Sequence, residues 1–408
     1  MVDDSLTTSS RLLRPSLLVA LSIAAIGAMS VEIFAVGARF VDPVDLSRFI
    51  TTWVALNTAV IALGASFDQL GPRLISRFED VDGPLLLWAT LLPGSGAVLV
   101  FFFMRVLQID VVEAVPCFAY ILTTSFWTGE RSLRLAYGEF RQLLNGALGV
   151  VGSCTVLLLV AVIVGELSSV SLLWVGALSN LAGYLVLVRA PTVALRRGFF
   201  KRLPRSEILL TFAISVASGA GLALSSGAIV LASSWGLSPK EVVAFAGMVN
   251  VARIPFMLLT SLYAPMNVKV AQLVSKGDRA HAVRLTVKSA GGIFIASCAV
   301  CAAMILFGGV ALQVFISSEY RFSLALAVTA VGIEAFVLIA GAPRVLGVVL
   351  GRALVVSGHW VAGLVVFCVI AVSTALGTDR VMLAPLAGSL TVVMLSMAWA
   401  FSVLKRLR

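Results

Sequence analysis

The sequence predicts an all-α integral membrane protein, with twelve transmembrane helices arranged as two six-helix halves. Three observations carry that reading. The chain is 60% apolar and 12% charged, with a mean hydropathy of +1.05, against roughly half apolar and a quarter charged in a soluble domain. Its apolar residues recur in blocks of about 20 along the whole length, the number a helix rising about 1.5 Å per residue needs to cross about 30 Å of hydrocarbon. The two halves also resemble each other, which marks an internal repeat.

In chain order the spans fall at roughly 15–38, 47–67, 83–104, 112–128, 143–165 and 170–190, then 207–234, 242–264, 287–315, 323–343, 353–377 and 381–404. The first carries Glu32 and lacks a small-residue cleavage site, so it reads as a retained helix rather than a signal peptide. Between the first two spans lies VDPVD, whose Asp42 and Asp45 are a pair of carboxylates; Pro43 between them favours a polar turn over a metal-dependent transferase site. Every predicted outer loop is about ten residues or shorter, which leaves no room for an extracytoplasmic catalytic domain. No phosphate loop follows a strand, so the chain is not expected to be an enzyme or to use ATP directly.

Orientation follows from lysine and arginine, which resist transfer across the bilayer. The two termini and the segments after spans two, four, six, eight and ten hold 23 of the 30, the opposite side holds six, and the last is Arg253 inside span eight. Both termini are therefore expected in the cytoplasm. The net charge of +10 follows from insertion and calls for no nucleic-acid partner. All five cysteines fall within spans as small apolar residues, Cys298 and Cys301 lack a second pair, and His281 and His359 stand alone; no metal or cofactor is expected.

The halves, 1–190 and 207–408, are joined by 191–206, where Leu195, Phe199, Phe200 and Leu203 interleave with Arg196, Arg197, Lys201 and Arg202. That pattern suits either a helix lying on the headgroups or a solvated linker. Two alignments relate the halves. FITTWVALNTAVIALGASFDQLGPRLISRFED (49–80) matches FAGMVNVARIPFMLLTSLYAPMNVKVAQLVSKGD (245–278), which sets Asn57 opposite Arg253. ERSLRLAYGE (130–139) matches PRVLGVVLGR (343–352) through a shared R-x-L-x-x-x-x-G. Repeats of this kind place substrate at their interface near mid-membrane.

Three ionisable groups lie at membrane depth: Glu32, Arg253 and Glu334. Arg253 sits about 16 Å from either end of its span, too deep to snorkel, and a central arginine costs about 2.5–3.5 kcal/mol to insert. It requires either a carboxylate, Glu32 or Glu334, or a wet cavity. Asn250 on its own face, Thr51, Asn57 and Thr58 in span two, and Ser215, Ser218, Ser225 and Ser226 in span seven supply polar stripes for such a cavity wall. A guanidinium there selects anions and suits phosphate. Glu32 and Glu334 are candidates for ion coupling or for pairing with Arg253.

The runs ALGASFDQLGPRLISR, RIPFMLLTSLYAPMNVKVAQLVSKGD and LFGGVALQVFISSEYRFSLAL resemble the O-antigen and lipid-linked oligosaccharide flippases of the multidrug/oligosaccharidyl-lipid/polysaccharide exporter superfamily. The resemblance implies two six-helix lobes in a V, with spans one, two, seven and eight around a central cationic cavity. It further implies alternating access in the cytoplasmic (inner) membrane for a polyprenyl-diphosphate-linked glycan, with glycosyltransferases and a polymerase as pathway partners. In that setting Arg253, Asn250, Asn57, Ser215, Ser218 and Ser225 form the substrate site. GASFDQLGPR (64–73) is also similar to the loop between spans two and three of major-facilitator antiporters, although Gln69 and Pro72 replace two of its basic residues.

Overall fold

The computed structural model describes residues 4–77, 82–188, 205–260 and 263–406. Within them the chain forms thirteen α-helices and no strand. In order these are α1 (Asp4–Phe40), α2 (Pro43–Arg77), α3 (Asp82–Val106), α4 (Ala114–Ala136), α5 (Phe140–Val164), α6 (Ser169–Leu187), α7 (Arg205–Leu231), α8 (Pro239–Thr260), α9 (Tyr263–Ser275), α10 (Arg279–Phe315), α11 (Leu324–Val349), α12 (Ala353–Ala371) and α13 (Arg380–Arg406), with a short 3-10 helix, Thr374–Asp379, before α13. The predicted linker segment 191–204 lies outside the described residues.

Eleven of the described helices are long and apolar enough to span a membrane. Of the twelve predicted spans only α4 falls short. It has the length, but its last turns carry Glu130, Arg131 and Arg134, and its packed face is polar, burying Thr124, Ser125, Thr128 and Ser132. The remaining helix, α9 (Tyr263–Ser275), is a short one that follows span eight.

Local chemistry sets the ends. Pro43 and Pro239 open α2 and α8, where a missing N–H costs nothing. Asp42 does not form a metal pair with Asp45: its Oδ1 accepts from the Val44 N–H at 2.8 Å, and Asp45 meets Arg48. Ser168, Asp278 and Ser323 cap α6, α10 and α11 through their side chains. The shared R-x-L-x-x-x-x-G stretch is a helix stop used twice. Gly138 after α4 and Gly351 after α11 both take positive φ, 72° and 69°. The next N–H in each case returns to a carbonyl five residues back, Glu139 to Arg134 and Arg352 to Gly347. The sequence repeat is thus a structural repeat.

Helices α1–α6 pack on one another, as do α7–α13, and the two lobes of the V meet where α2 lies along α7 and where α1 and α2 meet α8. Within the second lobe α12 and α13 cross almost backbone to backbone. A Cβ added at Gly363 would sit 2.6 Å from the Gly388 carbonyl oxygen, the close approach that small residues permit between membrane helices. An aromatic cluster stiffens the first lobe. Trp53 packs against Phe49 in a tilted pair, 4.9 Å between centroids, and donates from Nε1 to the Tyr120 hydroxyl at 2.5 Å.

Candidate functional site

A crevice opens where the lobes meet. Its walls come from four helices: Ser30 and Phe34 of α1, Trp53, Val54, Asn57 and Thr58 of α2, Ser226 of α7, and Asn250 and Arg253 of α8. Spans one, two, seven and eight are the ones expected to line a central cavity. Of the predicted site residues, Arg253, Asn250 and Asn57 come together here; Ser30 and Trp53 join them without having been singled out in the sequence. Their signal was their helical spacing to Phe34 and Asn57, visible only once the facing helices are known.

Arg253 has found a carboxylate. Its Nε donates to Glu334 Oε1 of α11 at 2.9 Å, Nη2 lies 2.8 Å from the same oxygen as an ion pair, and Nη2 donates to the hydroxyls of Ser226 and Ser225 at 3.1 and 3.4 Å. Glu334 is only 10% exposed while Arg253 keeps 28%. The pair is therefore directional, with the carboxylate behind and the guanidinium facing the crevice. Of the two carboxylates offered as partners, Glu334 takes the role. Glu32 lies elsewhere, between α1 and α5, where it accepts from Thr155 Oγ1 at 3.1 Å.

The span-seven serines do a different job from lining the crevice. Ser215, Ser218 and Ser225 are all buried and absent from its wall; only their neighbour Ser226 faces it. Two of the stripe seat arginines instead, Ser225 beside Arg253 and Ser218 beneath Arg344 of α11, whose Nη2 donates to Ser218 Oγ at 2.5 Å. Arg344 falls outside span ten as predicted from sequence, which ends at 343; the helix runs on to Val349 and includes it.

Two contacts join the lobes on either side of the crevice. Towards the face that carries the chain termini, Met257 of α8 packs into the gap left by Gly27 of α1, where a Cβ would lie 2.7 Å from its methyl. On the opposite face Arg39 at the end of α1 donates from Nη2 to the Val314 carbonyl at the end of α10, at 2.5 Å, bridging the lobes. What remains between is a cavity of about 40 Å³, room for a few waters but below the roughly 300–1,000 Å³ of small-molecule sites.

No family model and no curated protein matches the chain. Solved structures do match its fold. An inward-facing multidrug resistance MATE family transporter of the MOP superfamily superposes with a TM-score of 0.68 at 14% identity, over 94% of this chain and 95% of that one. An outward-facing member gives 0.62 at 16% identity, over 96% of each chain. A eukaryotic MATE transporter gives 0.66 at 13% identity, over 98% of this chain and 99% of that one. The chain therefore has the two-lobed fold of the MATE transporters of the MOP superfamily.

Proposed function

We propose that this chain is an alternating-access flippase that carries a polyprenyl-diphosphate-linked oligosaccharide, a precursor of cell-surface polysaccharide, from the cytoplasmic to the outer leaflet of the cytoplasmic membrane. The lobes are assigned to 1–190 and 207–408, joined by 191–206, with both termini cytoplasmic. The glycosyltransferases and polymerase of the same pathway are the expected partners. The carrying observation is the cationic face of the inter-lobe crevice: Arg253 points into it while the carboxylate that balances it is held behind. A guanidinium in that position favours an anionic headgroup and opposes an organic cation.

Because the crevice holds only about 40 Å³, loading requires the lobes to part. Separation breaks either the Met257–Gly27 contact or the Arg39–Val314 bond, according to the side that opens. Glu334 serves as the electrostatic lock on Arg253, and substrate phosphate replaces it as partner during transport. Glu32, in the other lobe and away from Arg253, is the better placed of the two for ion coupling.

A second reading, export of small-molecule drugs, is favoured by one observation: the matching structures include transporters described as multidrug resistance proteins. Depletion of the protein in its host separates the two. A flippase leaves lipid-linked oligosaccharide accumulated on the cytoplasmic leaflet; unchanged lipid-linked pools with increased drug susceptibility establish the drug exporter instead.

A further inference from the structure

Among the described residues Arg344 is an arginine with no carboxylate partner. It stands three turns beyond Glu334 on α11, about 15 Å along the axis, on the side of the chain termini. The residue is half-buried. Its guanidinium donates one bond, to Ser218, out of the five that a guanidinium offers. Among the described residues no carboxylate lies within ion-pair distance of it, in contrast to Arg131, Arg134 and Arg253. An arginine left in this state within a membrane helix is costly.

The internal repeat shows what is missing. Arg131 and Arg344 hold the same place before the same helix stop. Arg131 is neutralised by Asp68 of α2, Nη2 to Oδ2 at 2.5 Å, and Asp68 is held in turn by the Ser132 hydroxyl at 2.6 Å. The alignment that pairs Phe49 with Phe245 sets Asp68 opposite Ala264. The second half has kept the arginine and lost the acid. It has also placed the arginine on the same serine stripe of α7 that seats Arg253: Ser218 is two turns, about 10 Å, before Ser225. Two guanidinia thus stand in line along one face of α7. The deeper is balanced by Glu334, and the one nearer the termini is not.

We propose that Arg344 is a binding position for a phosphate-class anion, the phosphate or diphosphate of an amphiphile, occupied on the termini side of the crevice before the group reaches Arg253. This rests on the anionic-substrate reading given above. The order follows from charge. An incoming phosphate first meets a guanidinium that no described carboxylate neutralises, then passes the Met257–Gly27 contact to a guanidinium whose carboxylate it must displace.

The test is binding of farnesyl diphosphate to the purified full-length protein by titration calorimetry, with farnesol as the uncharged control and a short-chain phosphatidylglycerol as competitor. The wild type is expected to bind the diphosphate and not the alcohol. Arg344→Ala is expected to weaken binding at least tenfold and Arg344→Lys by less, since a lysine keeps the charge without the fork. Ala264→Asp, which restores the acid of the first half, is expected to weaken it as Arg344→Ala does. Should Arg344→Ala not fold, the lysine and Ala264→Asp variants carry the comparison. Competition by phosphatidylglycerol assigns the phosphate to bilayer lipid, and its failure to compete assigns it to a prenyl diphosphate; in both cases the Arg344 dependence supports the site. Wild-type affinity in Arg344→Ala, with loss in Arg253→Ala, overturns this proposal and leaves the anionic-substrate reading standing. No binding of farnesyl diphosphate to the wild type overturns both.

Discussion

Arg253 is held by one carboxylate oxygen and two hydroxyls, so its behaviour depends on Glu334 as much as on its own charge. Glu334→Gln keeps the shape and removes the competing anion. That variant is expected to bind farnesyl diphosphate about tenfold more tightly and to transport more slowly, because the group that pulls Arg253 back after release is gone; calorimetry and transport rates on the same preparation check both halves. Arg253→Ala does the reverse and strands a nearly buried carboxylate. Breaking a fully buried pair costs about 3–5 kcal/mol, and the 28% exposure of Arg253 places the loss below that range, read as a lowered unfolding temperature in detergent. The sequence showed that Arg253 needed a partner or water; it did not show which. The answer depends on which face of α11 meets α8, a tertiary fact with no local signature. Arg344 was missed for a related reason. Beside Pro343 it looked like the first residue of a basic loop, yet the helix continues through the proline for another turn and a half.

Helix existence was legible nearly throughout, because blocks of about 20 apolar residues allow little else in a bilayer. The faces were not. Serines at helical spacing in α7 suggested a cavity wall, whereas the structure buries Ser215, Ser218 and Ser225 against neighbouring helices; spacing fixes a stripe but not what it faces. The helix stops at Gly138 and Gly351 were readable as a repeat, and the matching hydrogen bonds explain it physically. Two element-level outcomes follow. At the α12–α13 crossing, Gly363→Val must force the helices apart, since even its Cβ would lie 2.6 Å from the Gly388 oxygen; overpacking of this kind costs about 1–3 kcal/mol, measurable as a loss of thermal stability. At the other end of the molecule, Arg39→Ala removes the bond from α1 to the last turn of α10. Spin labels placed on those two helix ends are expected to report a longer and broader distance distribution than in the protein with Arg39.

At the scale of the whole molecule, two lobes meet along α1, α2, α7 and α8, and one contact joins them on each side of the polar residues of that seam. The most direct test of transport itself is a leaflet assay. The protein is reconstituted into vesicles containing a fluorescent short-chain prenyl-diphosphate sugar, and the fraction protected from a membrane-impermeant quencher is followed over time. Exchange between leaflets is expected to be faster than in empty vesicles, and near the empty-vesicle rate for Arg253→Ala. Exchange by the wild type no faster than in empty vesicles, across an imposed proton or sodium gradient of either sign, would contradict the flippase reading.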